Sequence, residues 1–146
     1  MYLVCLPEKK GGSLAIPDCI SNSSIETKQW FLRGLFDADG DTRATEAGFK
    51  SQARIKLRMK QVNFLLQVKG LLNESFSVSI NGPYIDKGKD SGCIQVEKQV
   101  DILRLFNSNI FTHPVKVWRL GRTANHLLSQ NKTLKSFASE TISMGP

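Results

Sequence analysis

The stretch Trp30 to Asp41, WFLRGLFDADGD, places two carboxylates, Asp37 and Asp39, in the last turn of an apolar segment that reads as a helix, with Gly40 directly after them. A second set of chemically capable residues follows. Arg54, Lys56, Arg58 and Lys60 recur at every other position and alternate with Ala53, Ile55, Leu57 and Met59. That period belongs to a strand, with one apolar face and one face that is nearly all cationic. Like charges spaced this way repel one another unless an anion lies over them. Between Glu46 and Glu74 there are six basic residues and no acidic one, so the charge forms a local stripe. An ordinary solvated face mixes signs; this one favours an anionic partner, with nucleic acid the first candidate.

The rest of the chain must position these two sets. Its 146 residues suffice for one domain with a real core, and the net charge of +7 agrees with an anionic partner without requiring one. Cys5, Cys19 and Cys93 are odd in number, widely spaced and form no C-x-x-C pair, so the expectation is reduced, mostly buried thiols. No apolar run resembles a signal peptide's core or is long enough to span a membrane. A soluble, intracellular protein with no membrane partner is expected, in a prokaryotic cytoplasm or an organelle.

Residues 1–22 read as an irregular lead-in, with the apolar run Tyr2 to Leu6 as one short strand and breakers at Pro7, Gly11, Gly12 and Pro17. Ser23 and Glu26 form an S-x-x-E capping box, which starts a helix running from about Ser24 to Asp37. On it, Ile25, Leu32 and Phe36 make a stripe for the domain's own core. Phe31, Gly34 and Ala38 make a second, where two small residues four apart let another backbone approach. A glycine inside a helix costs roughly 1 kcal/mol against alanine, which hints at a packing reason.

Asp41 to Ala47 is the expected first strand, carrying Arg43 and Thr45, and Gln52 to Lys60 the second. Asn63 to Leu72 is an amphipathic helix with Phe64, Leu65, Val68, Leu71 and Leu72 inward. The alternation of Phe76, Val78 and Ile80 with Ser77, Ser79 and Asn81 predicts a third strand, ended by a turn at Asn81-Gly82-Pro83. A polar loop over 86–92 carries Lys87 and Lys89, and a fourth strand, Cys93 to Glu97, turns Gln95 and Glu97 outward. Lys98 marks the step into a further helix with Val100, Leu103, Leu105, Phe106 and Ile110. Pro114 is read as a stop, and a short helix starts at Thr123 with Trp118 as an anchor. The domain thus covers 23–130, followed by a Ser-, Thr- and Lys-rich tail at 131–146.

Leu32-Arg33-Gly34-Leu35-Phe36-Asp37-Ala38-Asp39-Gly40 resembles the signature of the LAGLIDADG homing endonucleases. It matches at every position but Arg33, which replaces a small residue, and the conservative Phe36. The order of elements after it is that family's αββαββα, and the approach from Ile16-Pro17 through Phe31 is similar to archaeal intein and intron-encoded members. The resemblance covers roughly Ile16 to Lys116.

It implies an α+β fold with a curved antiparallel β-saddle and helices on the opposite face. It also implies a site-specific, metal-dependent double-strand DNA endonuclease, a phosphodiester hydrolase. Asp39 would bind Mg²⁺ with the Ala38 carbonyl as a second ligand; Mn²⁺ would substitute, and Ca²⁺ would bind without supporting cleavage. Lys98 and Lys60 would be the accompanying catalytic groups, with Asp37 structural. His113 and His126 have no ligand partner at a metal-site spacing and are read as structural.

One motif without an internal copy implies a homodimer joined through Phe31, Gly34 and Ala38, and a long palindromic or near-palindromic target. Arg43, Thr45, Gln52, Arg54, Lys56, Arg58, Ser77, Ser79 and Gln95 would read the major groove, while Lys87 and Lys89 would hold phosphates. Two alternatives stay open. One is a non-cleaving DNA-binding protein or intron RNA maturase on the same fold; the other is one half of a two-motif enzyme or intein.

Overall fold

The computed structural model describes residues 14–43 and 53–130. In chain order these form α1 (Asp18–Ser21), α2 (Ile25–Asp39), β1 (Gly40–Arg43), β2 (Arg54–Lys60), α3 (Val62–Phe76), β3 (Asn81–Ile85), β4 (Ser91–Val96), α4 (Gln99–Asn107) and α5 (Pro114–Gln130). The strands make one antiparallel sheet in the order β1-β2-β4-β3. This is the expected α+β architecture. The lead-in strand, Thr45, Gln52 and the tail fall outside the described residues.

The alternation read in β2 holds: Ile55 and Leu57 are buried, while Arg54, Lys56, Arg58 and Lys60 are on the other face. Ile94 and Val96 of β4 join Ile55 and Leu57 in a core with Leu32 and Phe36 of α2 and Leu65, Val68 and Leu72 of α3. Helices therefore cover one face of the sheet and leave the cationic face uncovered. Ile16 and Ile20, from the segment read as lead-in, also belong to this core.

The signature helix begins one residue later than the capping box suggested. Ser24 is the cap, its hydroxyl accepting from the Thr27 amide at 3.2 Å, whereas the Ser23 hydroxyl donates to the Ile20 carbonyl. The inward row is Lys28, Leu32 and Phe36, not Ile25, which is 45% exposed. Lys28 is 6% exposed because its methylenes cover the core while Nζ donates to Glu74 at 2.7 Å.

Four other expectations are corrected. Segment 77–80 is not a strand: α3 runs on to Phe76, Ser77 takes a left-handed conformation (φ 55°), and Asn73 Nδ2 donates to the Val78 carbonyl at 3.0 Å. The third strand lies instead at Asn81–Ile85, where a turn was read. Pro114 opens α5 rather than stopping a helix, as proline does at a first helical position where no amide donor is needed. Trp118 is no core anchor; it is 60% exposed, with the Arg122 guanidinium 5.0 Å from its ring centre. Of the cysteines, Cys93 is free and buried, but Cys19 is exposed and disulfide-bonded, against the expectation of reduced thiols.

No helix among the described residues is long and apolar enough to cross a membrane.

Candidate metal-binding helix end and nucleic-acid interface

The chain passes from α2 into β1 without a loop, and Gly40 makes that junction. Its amide donates to the Phe36 carbonyl, and a Cβ there would come within 2.7 Å of both that oxygen and the Phe36 ring. Only glycine lets the helix end this close to the sheet. The junction fixes where the last-turn acids point.

Asp37 points back into the protein. Its Oδ1 accepts from the amides of Thr112 (2.8 Å) and His113 (3.0 Å), and its Oδ2 from the Thr112 hydroxyl. Partial burial alone would raise its pKa. The Thr112 hydroxyl, the two amides and nearby His113 outweigh that and hold the carboxyl below its ordinary value. Asp37 is thus structural, tying α2 to the segment that enters α5.

Asp39 is its opposite. The residue is exposed, and its carboxylate makes no hydrogen bond or ion pair among the described residues. Ala38 beside it is exposed as well, in the last turn, where helix carbonyls lack intrahelical partners. A free carboxylate and an orphan carbonyl are the hard oxygen donors that Mg²⁺ takes. No group of three or more metal-ligating side chains occurs among the described residues.

The strand register separates the two lysines assigned beside Asp39. Gly40 pairs with Leu57, so Lys60 lies past the start of β1, on the side from which Asp39 arrives. Lys60 itself pairs with Ser91, while Val96 pairs with Ile55 at the other end of the ladder. Lys98 follows that far end, capping α4, two residues beyond a ladder that runs roughly 16 Å from the level of Lys60 at ~3.3 Å per residue. The fold does not bring Lys60 and Lys98 together.

Two cations that the sequence pattern hid stand at the Asp39 end instead. Lys116 Nζ donates to the carbonyls of Phe36 (3.2 Å) and Asp37 (2.7 Å), placing its charge at the negative end of α2. Arg119 Nη1 lies 3.5 Å from Asp41 Oδ1, and Asp41 pairs with Lys56 and so shares the cationic face. Reading Pro114 as a stop removed both from a helix. Leu120, Thr123, Ala124 and Leu127, buried at helical spacing, were the signal for one.

On the uncovered sheet face, Arg54, Lys56, Arg58 and Lys60 run along β2, and Gln95 of β4 pairs with Lys56. Gln95 is buried, accepting from Arg54 Nη1 at 3.5 Å. Arg58 forms a 2.7 Å ion pair with Asp86. Ser77 and Ser79 are not on this face: the Ser77 carbonyl accepts from Arg104 and the Ser79 amide donates to Asp101, both on α4. Their places are taken by Asn81, paired with Gln95, and Tyr84, paired with Cys93. Lys87 and Lys89 are exposed in the β3–β4 turn, and Arg43 ends β1.

The third feature is the outer face of α2. Trp30, Gly34 and Ala38 are exposed four residues apart, and among the described residues nothing lies within 4 Å of a Cβ built on Gly34. Phe31 is half-buried against the core. Arg33 lies at the border of this face: its Nε donates to the Asn109 carbonyl and its Nη2 to the Ser108 carbonyl, both at 3.0 Å, and its guanidinium stacks 4.6 Å from the Trp30 ring centre.

No curated protein is significantly similar to the chain. The LAGLIDADG-like domain family matches it over residues 26–140, most of its length and all of the geometry above. An acid-ended helix feeding a basic antiparallel sheet therefore has its counterpart in a known domain, and the chain belongs to the LAGLIDADG family of DNA-binding homing endonucleases and maturase-type proteins.

Proposed function

We propose that this chain is a metal-dependent, site-specific DNA endonuclease that works as a homodimer on a palindromic or near-palindromic target. The observation that carries the reading is Asp39, an exposed carboxylate free of hydrogen bonds and ion pairs among the described residues, at a helix end that opens onto a cationic sheet face. A protein that only grips phosphates gains nothing from an unneutralised acid beside them.

Asp39 and the Ala38 carbonyl would hold Mg²⁺ or Mn²⁺. The bound cation would supply charge neutralisation at the phosphate and a lower pKa for water. Lys116, fixed on the last carbonyls of α2, sets a positive charge beside the same position, and Lys60 adds one from the end of β2. Lys56 and Arg54 hold the duplex over the sheet. The open Trp30, Gly34 and Ala38 face meets the second copy, which brings its own Asp39 to complete the ligand set.

The test is to incubate a plasmid bearing the sequence across the host insertion site with protein and Mg²⁺, Mn²⁺ or Ca²⁺. Double-strand cleavage in the first two, and binding without cleavage in Ca²⁺, is the expected result. Tight binding to intron RNA with no cleavage under any metal would replace this reading with the maturase one. A solution mass of one chain, with activity restored only by a different polypeptide, would replace the homodimer.

A further inference from the structure

Among the cations of the sheet face, Arg58 differs from its neighbours in having a short acidic partner among the described residues, whereas Arg54 reaches only the Gln95 amide oxygen, at 3.5 Å. Its Nη1 donates to Asp86 Oδ2 at 2.7 Å, and the same oxygen accepts from the Ser91 hydroxyl at 2.7 Å. Asp86 is itself fixed by the turn that joins β3 to β4: its amide donates to the Ser91 carbonyl at 2.9 Å and its carbonyl accepts from the Lys89 amide at 3.2 Å. A short, doubly bonded carboxylate on a closed turn therefore holds one edge of a guanidinium. Nε and Nη2 have no other partner among the described residues.

That arrangement is poor for holding phosphate. A carboxylate at 2.7 Å repels a phosphate and cancels much of the charge that would attract it. It suits a base edge, where direction matters more than net charge. The planar fork of arginine matches two acceptors side by side, and in the major groove only guanine, through O6 and N7, presents them on one base. Arg58 is also the β2 cation next beyond Leu57, the partner of Gly40, and so lies close to the level at which Asp39 leaves its helix.

We propose that Arg58 reads a guanine in each half of the target, and that Asp86 is a positioning residue that aims its guanidinium at the base. This rests on the reading of the sheet as a DNA-binding face. It assigns a base class to one residue and a specificity role to an acid on the β3–β4 turn. The ion pair is mutually reinforcing: the Ser91 hydroxyl and Arg58 hold the Asp86 carboxyl below its ordinary value, and the Asp86 bond raises Arg58.

The experiment is selection of duplexes from a randomised pool by full-length protein in Ca²⁺, followed by sequencing. The wild-type protein is expected to enrich one guanine per half-site. Arg58→Ala should reduce that preference roughly 10- to 100-fold, the range for losing one bidentate base contact. Arg58→Lys should not restore it. Asp86→Asn and Ser91→Ala, which loosen the aim without removing the arginine, should broaden preference at that same position several-fold and leave the others sharp. A purely structural role would instead weaken all positions together.

If Arg58→Ala lowers affinity uniformly across sequences and flattens the salt dependence, Arg58 is a phosphate contact and the proposal fails. It also fails if Asp86→Asn and Ser91→Ala both keep the guanine preference of the wild type. Should the wild-type protein enrich no duplex at all, the DNA-binding reading fails first and takes this proposal with it.

Discussion

Asp37 and Thr112, 75 positions apart in the chain, are joined twice: the Thr112 amide donates to Oδ1 at 2.8 Å and its hydroxyl donates to Oδ2. With the His113 amide and the two Lys116 bonds, this locks the last turn of α2 to the first turn of α5. Asp39 owes its direction to a neighbour that is not itself chemical.

A stability effect follows. Asp37→Ala removes the acceptor of three bonds and should cost about 1–2 kcal/mol, comparable to losing a helix cap. The folded-state pKa of Asp37 lies below its unfolded value, so its contribution is fully present above the unfolded carboxylate range near pH 4 and is lost as pH falls through the lower folded value. Chemical denaturation between pH 6 and pH 2 should show the wild type losing stability on acidification more steeply than Asp37→Asn. Parallel curves would mean that Asp37 does not carry this linkage.

Catalysis divides the lysines. Asp39→Asn should abolish cleavage while duplex binding in Ca²⁺ survives. Lys116→Met should lower the single-turnover cleavage rate by roughly 100-fold or more at saturating protein, the scale for removing a fixed charge at a reacting phosphate. Lys98→Met, at the far end of the β2–β4 ladder, should leave that rate within a few-fold and change only affinity. A larger loss at Lys98 than at Lys116 would place Lys98, not Lys116, beside the reacting phosphate.

The contrast between Lys98 and Lys116 also shows what the amino-acid pattern can and cannot carry. α2 and β2 are legible because a single local rule produces each: helical period with a small-residue face, and strict alternation with charge on one side. The placement of Lys98 needed to know which end of β4 meets which end of β2, a non-local fact. Val78 and Ile80 alternate with Ser77 and Ser79 because alternate side chains are buried, yet the segment pairs with no strand among the described residues. Alternation reports burial; it does not report hydrogen bonding. The true β3 contains Gly82 and Pro83, residues that argue locally against a strand. Pro114 is ambiguous in the same way, since proline breaks a helix interior but favours a first turn.

Lys56 and Lys60 have no acid partner among the described residues, unlike Arg58. Both should therefore contact phosphates directly, Lys56 over the sheet and Lys60 at the Asp39 end. Lys56→Ala and Lys60→Ala are each expected to weaken duplex binding about equally for all sequences and to reduce the slope of log K against log salt by about 1 per contact removed. Binding titrations between 50 and 300 mM salt measure this. An unchanged slope in both variants would remove them from the interface.

Gly34 gives the cleanest test of the second chain. Among the described residues nothing lies within 4 Å of a Cβ built there, so Gly34→Leu meets no clash with them and should gain helix propensity rather than lose it. If the Trp30, Gly34 and Ala38 face packs against a second copy, however, the added side chain stands where two backbones must meet, and it should hold the helices apart. The expected result is a variant with wild-type or higher thermal stability as a monomer, half the solution mass by sedimentation equilibrium, and cleavage reduced at least 100-fold, because each half-site is left with a single Asp39. Gly40→Ala is the contrast. There the added Cβ meets Phe36 at 2.7 Å within the same chain, so it should lower thermal stability directly. A Gly34→Leu protein that keeps both its mass and its cleavage would place the partner surface elsewhere on the molecule.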